Sequence, residues 1–291
     1  DLVKIQEMLE PTLAKIGEMS MSQGQLTGVT TGLIDLDRQL SGLQNSDLIL
    51  LAARPAMGKT SLALNIAYKA SVKHQVAIFS LEMSKMQLTQ RLLSALSNIN
   101  LSELVSGRVT EGTNLGQAAQ LLAETNMHVD DTSSISLNEL RSKCRKLKAR
   151  SDLDLVIIDY LQLMTTNSRS ENRQQEISTI SRGLKGLAKE LNCPILALSQ
   201  LSRAPDQRPN HRPVMSDLRE SGAIEQDADV VLMLYRDDYY DPETDKPNIA
   251  EIIVAKHRNG PTGTVDTLFD KEHTKFMDLD KQMPDVGAFD K

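Results

Sequence analysis

The sequence has no tryptophan, and aromatic residues make up 3% of it, which argues against a nucleic-acid binder built on a platform of stacked rings. Cysteine is scarce. Cys144 and Cys193 share no C-x-x-C spacing with each other or with a histidine, which argues against a disulfide framework and a zinc site and points to a reducing compartment. Long apolar runs are also missing: none approaches the roughly 20 residues that span a bilayer, and no basic stretch leads into an apolar one at the N-terminus. A soluble, cytoplasmic protein without a membrane partner is the expectation. A basic excess is lacking as well, since 33 Lys and Arg face 39 Asp and Glu for a net charge of −6. Nucleic-acid contact, if present, is then local and made to phosphates. The chain begins at Asp1 rather than methionine, which reads as an upstream portion removed or not included.

What is present suits one large α/β domain with short additions, because 291 residues at 40% hydrophobic content can bury a substantial core. Residues 1–19 carry Leu2, Ile5, Leu9, Leu13 and Ile16 three and four apart, an amphipathic linker helix whose stripe packs either on its own domain or on a partner. Residues 20–32, rich in Gly, Ser and Thr, read as a flexible linker. An ATPase domain over 33–280 and a tail over 281–291 complete the division. Within the domain, the apolar runs 47–53, 75–81, 153–159, 193–199 and 229–235 are unalternated and β-branched, as in strands buried on both faces of a parallel sheet with helical crossovers. A long helical insertion separates the second and third runs. It ends in a helix opened by the capping-box pattern Ser136-Leu137-Asn138-Glu139, with Leu137, Leu140, Cys144 and Leu147 as its buried stripe. The basic residues of 141–150 read as the solvated face of that helix, with nucleic-acid binding as the alternative. Runs 249–255, 263–269 and 274–279 read as appended antiparallel hairpins.

Ala53-Arg54-Pro55-Ala56-Met57-Gly58-Lys59-Thr60, followed by Ser61, matches the phosphate-binding loop except that Ala53 replaces the first glycine. It lies between a strand and a helix, where backbone N–H groups wrap phosphates, Lys59 sets a cation near the outer ones and Thr60 ligates Mg²⁺. Nucleotide binding follows, with ATP and Mg²⁺ as the expected cofactors. Asp159, closing the run LVIID, is placed to hold the metal shell. Glu82 follows a strand expected beside the one that enters the loop, and is the candidate to orient and deprotonate water. Either acid could instead serve at a helix N-terminus. Gln200, at the end of ILALS and the root of a long loop, is placed to sense a terminal phosphate, or is an ordinary polar strand end. Arg54 is the arginine nearest the phosphates by sequence.

FSLEMS (79–84), IIDYLQLM (157–164), ENRQQEIS (171–178), LALSQLSR (196–203), the segment from Asp217 to Asp229, YRDDYY (235–240) and the segment from Lys256 to Thr264 follow in order. Together they resemble the motif series of the DnaB-type replicative DNA helicases. The resemblance runs from about Thr30 to Leu279 and implies a RecA-like P-loop core with a mostly parallel sheet, assembled as a homo-hexamer around single-stranded DNA with ATP at subunit interfaces. It implies that Arg258 and Lys256 complete the neighbouring subunit's site, though by sequence alone decoration of a hairpin turn is the alternative. DNA contact carries over to Arg219, Glu220, Ser221 and Gly222, and Arg203, Arg208 and Arg212 would add charge to the channel. Primase and a helicase loader are the implied partners, and residues 1–19 correspond to the linker helix that packs on a neighbouring subunit. A RecA-family recombination ATPase and a non-motor ATP-binding ring scaffold are the competing functions.

Overall fold

Each of the five apolar runs forms a strand because both of its faces are covered, so the alternation that marks a half-exposed strand is absent. The computed structural model describes residues 3–21, 26–110, 114–164 and 173–279. The strands are β1 (Leu48–Ala53), β2 (Val76–Ser80), β3 (Met127–Asp130), β4 (Leu155–Asp159), β5 (Ile195–Gln200), β6 (Val230–Tyr235), β7 (Ile249–His257), β8 (Gly263–Asp270) and β9 (Lys275–Asp278). The helices are α1 (Ile5–Met21), α2 (Ile34–Leu40), α3 (Lys59–Ser71), α4 (Lys85–Ser97), α5 (Leu101–Ser106), α6 (Leu115–Ala123), α7 (Leu137–Ser151), α8 (Arg173–Leu191) and α9 (Gly222–Asp227).

One sheet runs in the order β3-β2-β4-β5-β1-β6-β7-β8-β9. It is parallel from β3 to β6 and antiparallel from β6 onward, so the three C-terminal strands extend the same sheet. Successive residues of β1 feed two cores. Ile49 and Leu51 pack with Leu36, Leu62, Ile66 and Leu88 of α2, α3 and α4. Leu48 and Leu50 pack with Leu140 of α7, Ile180, Leu184 and Leu187 of α8, and Ile224 of α9. Each fully buried Leu or Ile contributes about 1.5–3 kcal/mol relative to exposure, which holds the parallel strands as a rigid floor.

β3 falls inside what the sequence suggested was a helical insertion. It is a short edge strand with no residue fully buried, and four residues carry little periodicity. The segment 20–32 also differs from a free linker, although 22–25 lie outside the described residues. Val29 and Thr31 are buried, Val29 bridges Leu43, and the Asp37 carboxylate accepts from the hydroxyls of Thr30 (2.6 Å) and Thr31 (2.7 Å). Paired polar side chains need no apolar pattern, so composition alone read this stretch as loose. On α7, Ser136 accepts from the Glu139 N–H at 3.3 Å, while the Glu139 carboxylate turns to Lys143 at 3.0 Å, leaving the capping box half made. Ile5, Leu9, Leu13 and Ile16 of α1 are all more than half exposed, so the stripe does not fold back on its own domain. Leu2 and the tail 281–291 lie outside the described residues.

Candidate active site

Nucleotide-binding geometry begins where β1 ends. Ala53 is the last residue of that strand, in register with Gln200 of β5 and Leu234 of β6, and its backbone is ordinary strand. No glycine is required there, which accounts for the departure from the motif. The turn itself needs left-handed backbone at Ala56 (φ 65°) and Gly58 (φ 98°). A Cβ on Gly58 would also sit 3.1 Å from Phe269 Cζ and 3.2 Å from Phe276 Cζ, so only glycine fits both the angle and the space. Lys59, Thr60 and Ser61 form the first turn of α3, whose N-terminal N–H groups face the loop.

A cleft of about 480 Å³ opens over this loop and is lined by all of 53–61 except Met57, together with Glu82, Tyr160 and Gln200. Met57 is buried in the core instead, since its position on the turn points inward. Asp159 closes β4 and is 3% exposed. Its Oδ2 accepts from the Thr60 hydroxyl at 2.7 Å, and its Oδ1 is buried without a partner. Burial raises the Asp159 carboxyl above the ordinary carboxylate range, against the pull of Lys59 and Thr60. Burial likewise lowers the Lys59 ammonium, against Asp159 and Glu82. Lys59 Nζ lies 4.9 Å from the centre of the Tyr160 ring. A buried carboxylate with one orphaned oxygen beside a hydroxyl fits a hard cation. No group of three or more His, Cys, Asp or Glu that could hold a metal occurs among the described residues, so phosphate oxygens and water would complete the shell.

Glu82 reaches the cleft by a route the sequence did not indicate. Its strand β2 is not beside β1, because β4 and β5 stand between them. β2 pairs with β4, Ser80 opposite Asp159, and this register brings the exposed Glu82 to the mouth beside the buried aspartate. Gln200 ends β5 directly beside β1, and its backbone is held by Gln162, whose Nε2 donates to the Gln200 carbonyl at 3.2 Å.

Arg54 lines the cleft, but its guanidinium is committed elsewhere. It grips Asp206 (2.5 and 3.2 Å) and the Leu201 carbonyl (3.0 Å), tying the loop to the segment after β5. Arg54 is also not the sole arginine close by: Arg91 and Arg236 line the same cleft, as does Lys271. Arg236 is 4% exposed, donates to the Ala56 carbonyl at 3.4 Å and stacks 4.6 Å over Phe269. Asp238 pairs with both Arg236 (3.0 Å) and Lys271 (2.6 Å). These residues come from α4, the end of β6 and the β8–β9 turn, so no linear spacing announced them.

Arg258 and Lys256 lie away from this cleft. β1 and β6 are parallel, with Ala53 opposite Leu234, whereas His257 pairs with Val230 at the other end of β6. The span from Val230 to Leu234 alone is about 13 Å at ~3.3 Å per residue. Arg258 Nη1 pairs with Asp229 at 3.0 Å. Lys256 Nζ donates to the carbonyls of Glu225 (2.7 Å), Gln226 (3.3 Å) and Ala228 (2.7 Å), closing the C-terminus of α9 as a cation does. Burial, with Arg258 close by, lowers its ammonium.

Arg219, Glu220 and Ser221 stand in a 3-10 helix, Met215–Ser221, and Gly222 opens α9. The backbone there is helical rather than an open loop, and the side chains of Arg219, Glu220, Ser221 and Gly222 lie outside the described residues. Arg208 pairs with Asp217 (2.6 Å) and Arg212 with Glu251, so these two are internal struts rather than free channel charge. On α7, Arg145 (2.5 Å) and Arg141 (3.4 Å) meet Glu190, and Lys143 meets Asp130, which favours the structural reading of that basic face. No helix of the described residues is long and apolar enough to cross a membrane.

The family model described as "DnaB-like helicase C terminal domain" matches residues 28–278. The chain is 51% identical over 289 residues to the replicative DNA helicase DnaC of Bacillus subtilis strain 168, covering 98% of this chain and 64% of that protein. It is 51% identical over 287 residues to the replicative DNA helicase DnaB of Geobacillus stearothermophilus, covering 97% and 63%. The chain thus spans just under two thirds of the length of these curated relatives. Among solved structures, one described as an ATPase domain superposes with a TM-score of 0.91 at 40% identity, covering 96% of this chain and all of that one. A DnaB-like replicative helicase described with its interactions with primase superposes at 0.88 and 41% identity, covering 92% and 67%. The RadB recombinase, at 20% identity and a TM-score of 0.53, shares the fold alone.

Proposed function

Because the chain belongs to the family of the DnaB-like helicase C-terminal domain, we propose that it is the motor of a hexameric replicative helicase, hydrolysing ATP between subunits to move along single-stranded DNA and part the duplex. The observation that carries this reading is the convergence of Lys59, Thr60, Glu82 and Gln200 on one cleft over a phosphate-binding turn, with the buried Asp159 carboxylate accepting from the Thr60 hydroxyl behind it. In this reading residues 1–19 are a linker helix, 33–280 the motor and 281–291 a tail, and the protein works in the cytoplasm with primase and a loader.

The backbone N–H groups of Ala56, Gly58, Lys59 and Thr60, at the turn and the N-terminus of α3, receive the β- and γ-phosphates, and Lys59 neutralises them. Thr60 and the free Oδ1 of Asp159 would hold Mg²⁺, which supplies charge neutralisation on the transferring phosphate when bound. Glu82 takes the proton of the attacking water as its oxygen bonds to the γ-phosphorus, and the bond to the bridging oxygen of ADP breaks. Gln200 contacts the γ-phosphate and carries its presence into the segment that follows β5. Arg258, at the far end of the sheet from its own cleft, serves the neighbouring subunit's ATP, Lys256 joins it by exchanging an α9 carbonyl for phosphate, and the Arg219–Gly222 segment meets DNA phosphates regardless of base.

Measuring ATPase activity with and without single-stranded DNA, together with unwinding of a forked duplex, tests the reading. Clear stimulation and unwinding are expected. An ATPase indifferent to DNA would leave a nucleotide-binding scaffold, and filaments rather than closed rings in electron micrographs would favour a recombination ATPase.

A further inference from the structure

Asp229, just ahead of β6, is 2% exposed, and its carboxylate divides between two tasks. Oδ2 accepts from Lys185 Nζ at 2.5 Å and from the Leu48 N–H at 2.9 Å, anchoring α8 and the foot of β1. Oδ1 accepts from Arg258 Nη1 at 3.0 Å. The backbone doubles the second link, since the Arg258 N–H donates to the Asp229 carbonyl at 2.8 Å. Nη2 also donates to the Gln226 carbonyl at 3.4 Å, yet Arg258 remains 51% exposed along its side chain, so Nη1 and Nη2 are each held by one contact while half of the side chain stays open to solvent.

We propose that Asp229 is a positioning residue for Arg258, a step that rests on the reading of Arg258 as acting on the neighbouring subunit's ATP. An arginine on a turn has many rotamers, and fixing them on contact costs free energy that weakens the contact. A buried carboxylate on Nη1, aided by the longer bond from Nη2 to Gln226, fixes the plane of the guanidinium beforehand, and of its five N–H donors those not so engaged are left for the transferring phosphate. Releasing the arginine would also leave the buried Oδ1 without its side-chain donor, which costs free energy even with Lys185 still on Oδ2.

The chemistry of asparagine makes this testable. In Asp229→Asn the amide has one carbonyl oxygen, which the two donors on the Lys185 side claim, turning an NH₂ group toward Arg258, which is itself donor-only. The anchoring of β1 survives and the backbone bond to Arg258 remains, while the carboxylate's grip on the guanidinium is lost. The experiment uses rings mixed from two chains. Lys59→Ala chains have no phosphate cradle but supply Arg258, and Arg258→Ala chains supply the cradle, so the mixture recovers part of the ATPase activity if Arg258 acts across the interface.

Asp229→Asn is then added to one chain at a time. In the Lys59→Ala chain it should cut the recovered kcat about tenfold with little change in KM for ATP. In the Arg258→Ala chain, which has no arginine to position, it should leave the recovered rate unchanged. Equal losses from both placements would make Asp229 a general fold residue and overturn the proposal. No loss from either, or loss only in the Arg258→Ala chain, would also overturn it. If the parental mixture recovers nothing although mass spectrometry finds mixed rings, the reading of Arg258 fails before Asp229 is altered, and the proposal falls with it.

Discussion

Glu82 and Gly58 show how differently single residues serve this cleft. Glu82 is exposed and at the cleft mouth, so Glu82→Gln removes the proposed base without disturbing the phosphate turn. The variant should bind ATP close to normally and hydrolyse it on the order of 10²-fold or more slowly. Single-turnover hydrolysis near the parent rate would exclude the role. Gly58 is the reverse case, a residue with no chemistry whose shape is essential. In Gly58→Ala, left-handed backbone costs about 1–2 kcal/mol, and the new methyl group presses on Phe269 and Phe276. Nucleotide affinity should fall and the melting temperature with it, as calorimetry and a fluorescent-nucleotide titration would register; an unaltered affinity would mean that the turn tolerates a side chain. Lys59, Thr60 and the alternation inside the strands were legible because those signals are local. Arg91, Arg236 and Lys271 were not, because each reaches the cleft from a distant segment.

At the scale of elements, α7 is fastened to the edge strand β3 by one ion pair of measurable consequence. Burial pushes the Asp130 carboxyl up, but Lys143 at 2.8 Å and the Thr132 N–H at 3.0 Å outweigh it and bring the group down to about 2. A carboxyl held lower in the folded chain than in the unfolded one contributes stability above about pH 4, and loses it as pH falls toward 2. Both side chains are about one third exposed, so solvent screening limits the contribution to about 1 kcal/mol or less. Lys143→Met should lower stability at pH 7 and flatten this part of the acid limb of a denaturation series. An acid limb identical in the two proteins would assign the pH dependence to other carboxylates. The capping box at Ser136 was recognisable in sequence, yet Glu139 spends its carboxylate on Lys143, a partner that appears only once the helix has formed.

The whole molecule carries net charge −6 and no tryptophan, and two of its loop arginines are paired internally. Under the proposed function, DNA affinity would then come from a few phosphate contacts. Single-stranded DNA binding should weaken steeply with salt and differ little among homopolymers. Arg219→Ala should weaken it across all sequences and lower the salt slope by about one. Strong preference for one homopolymer at fixed salt, or an unchanged slope in the variant, would move the contact elsewhere.

The sequence by itself determined the parallel sheet, the phosphate turn, the acids at strand ends and the antiparallel extension, because each depends on residues within a few positions of one another. It also carried the resemblance that named the family. Tertiary structure decided what depends on strand order and long-range pairing. The separation of β2 from β1 by two strands, the burial of Val29 and Thr31 in what looked like a linker, and the commitment of Arg54 to Asp206 leave no periodic trace. Arg258 shows the division most plainly. Its chemistry can be read from one letter, but its place at the opposite end of the sheet from Lys59 follows only from the antiparallel turn of β7 against β6.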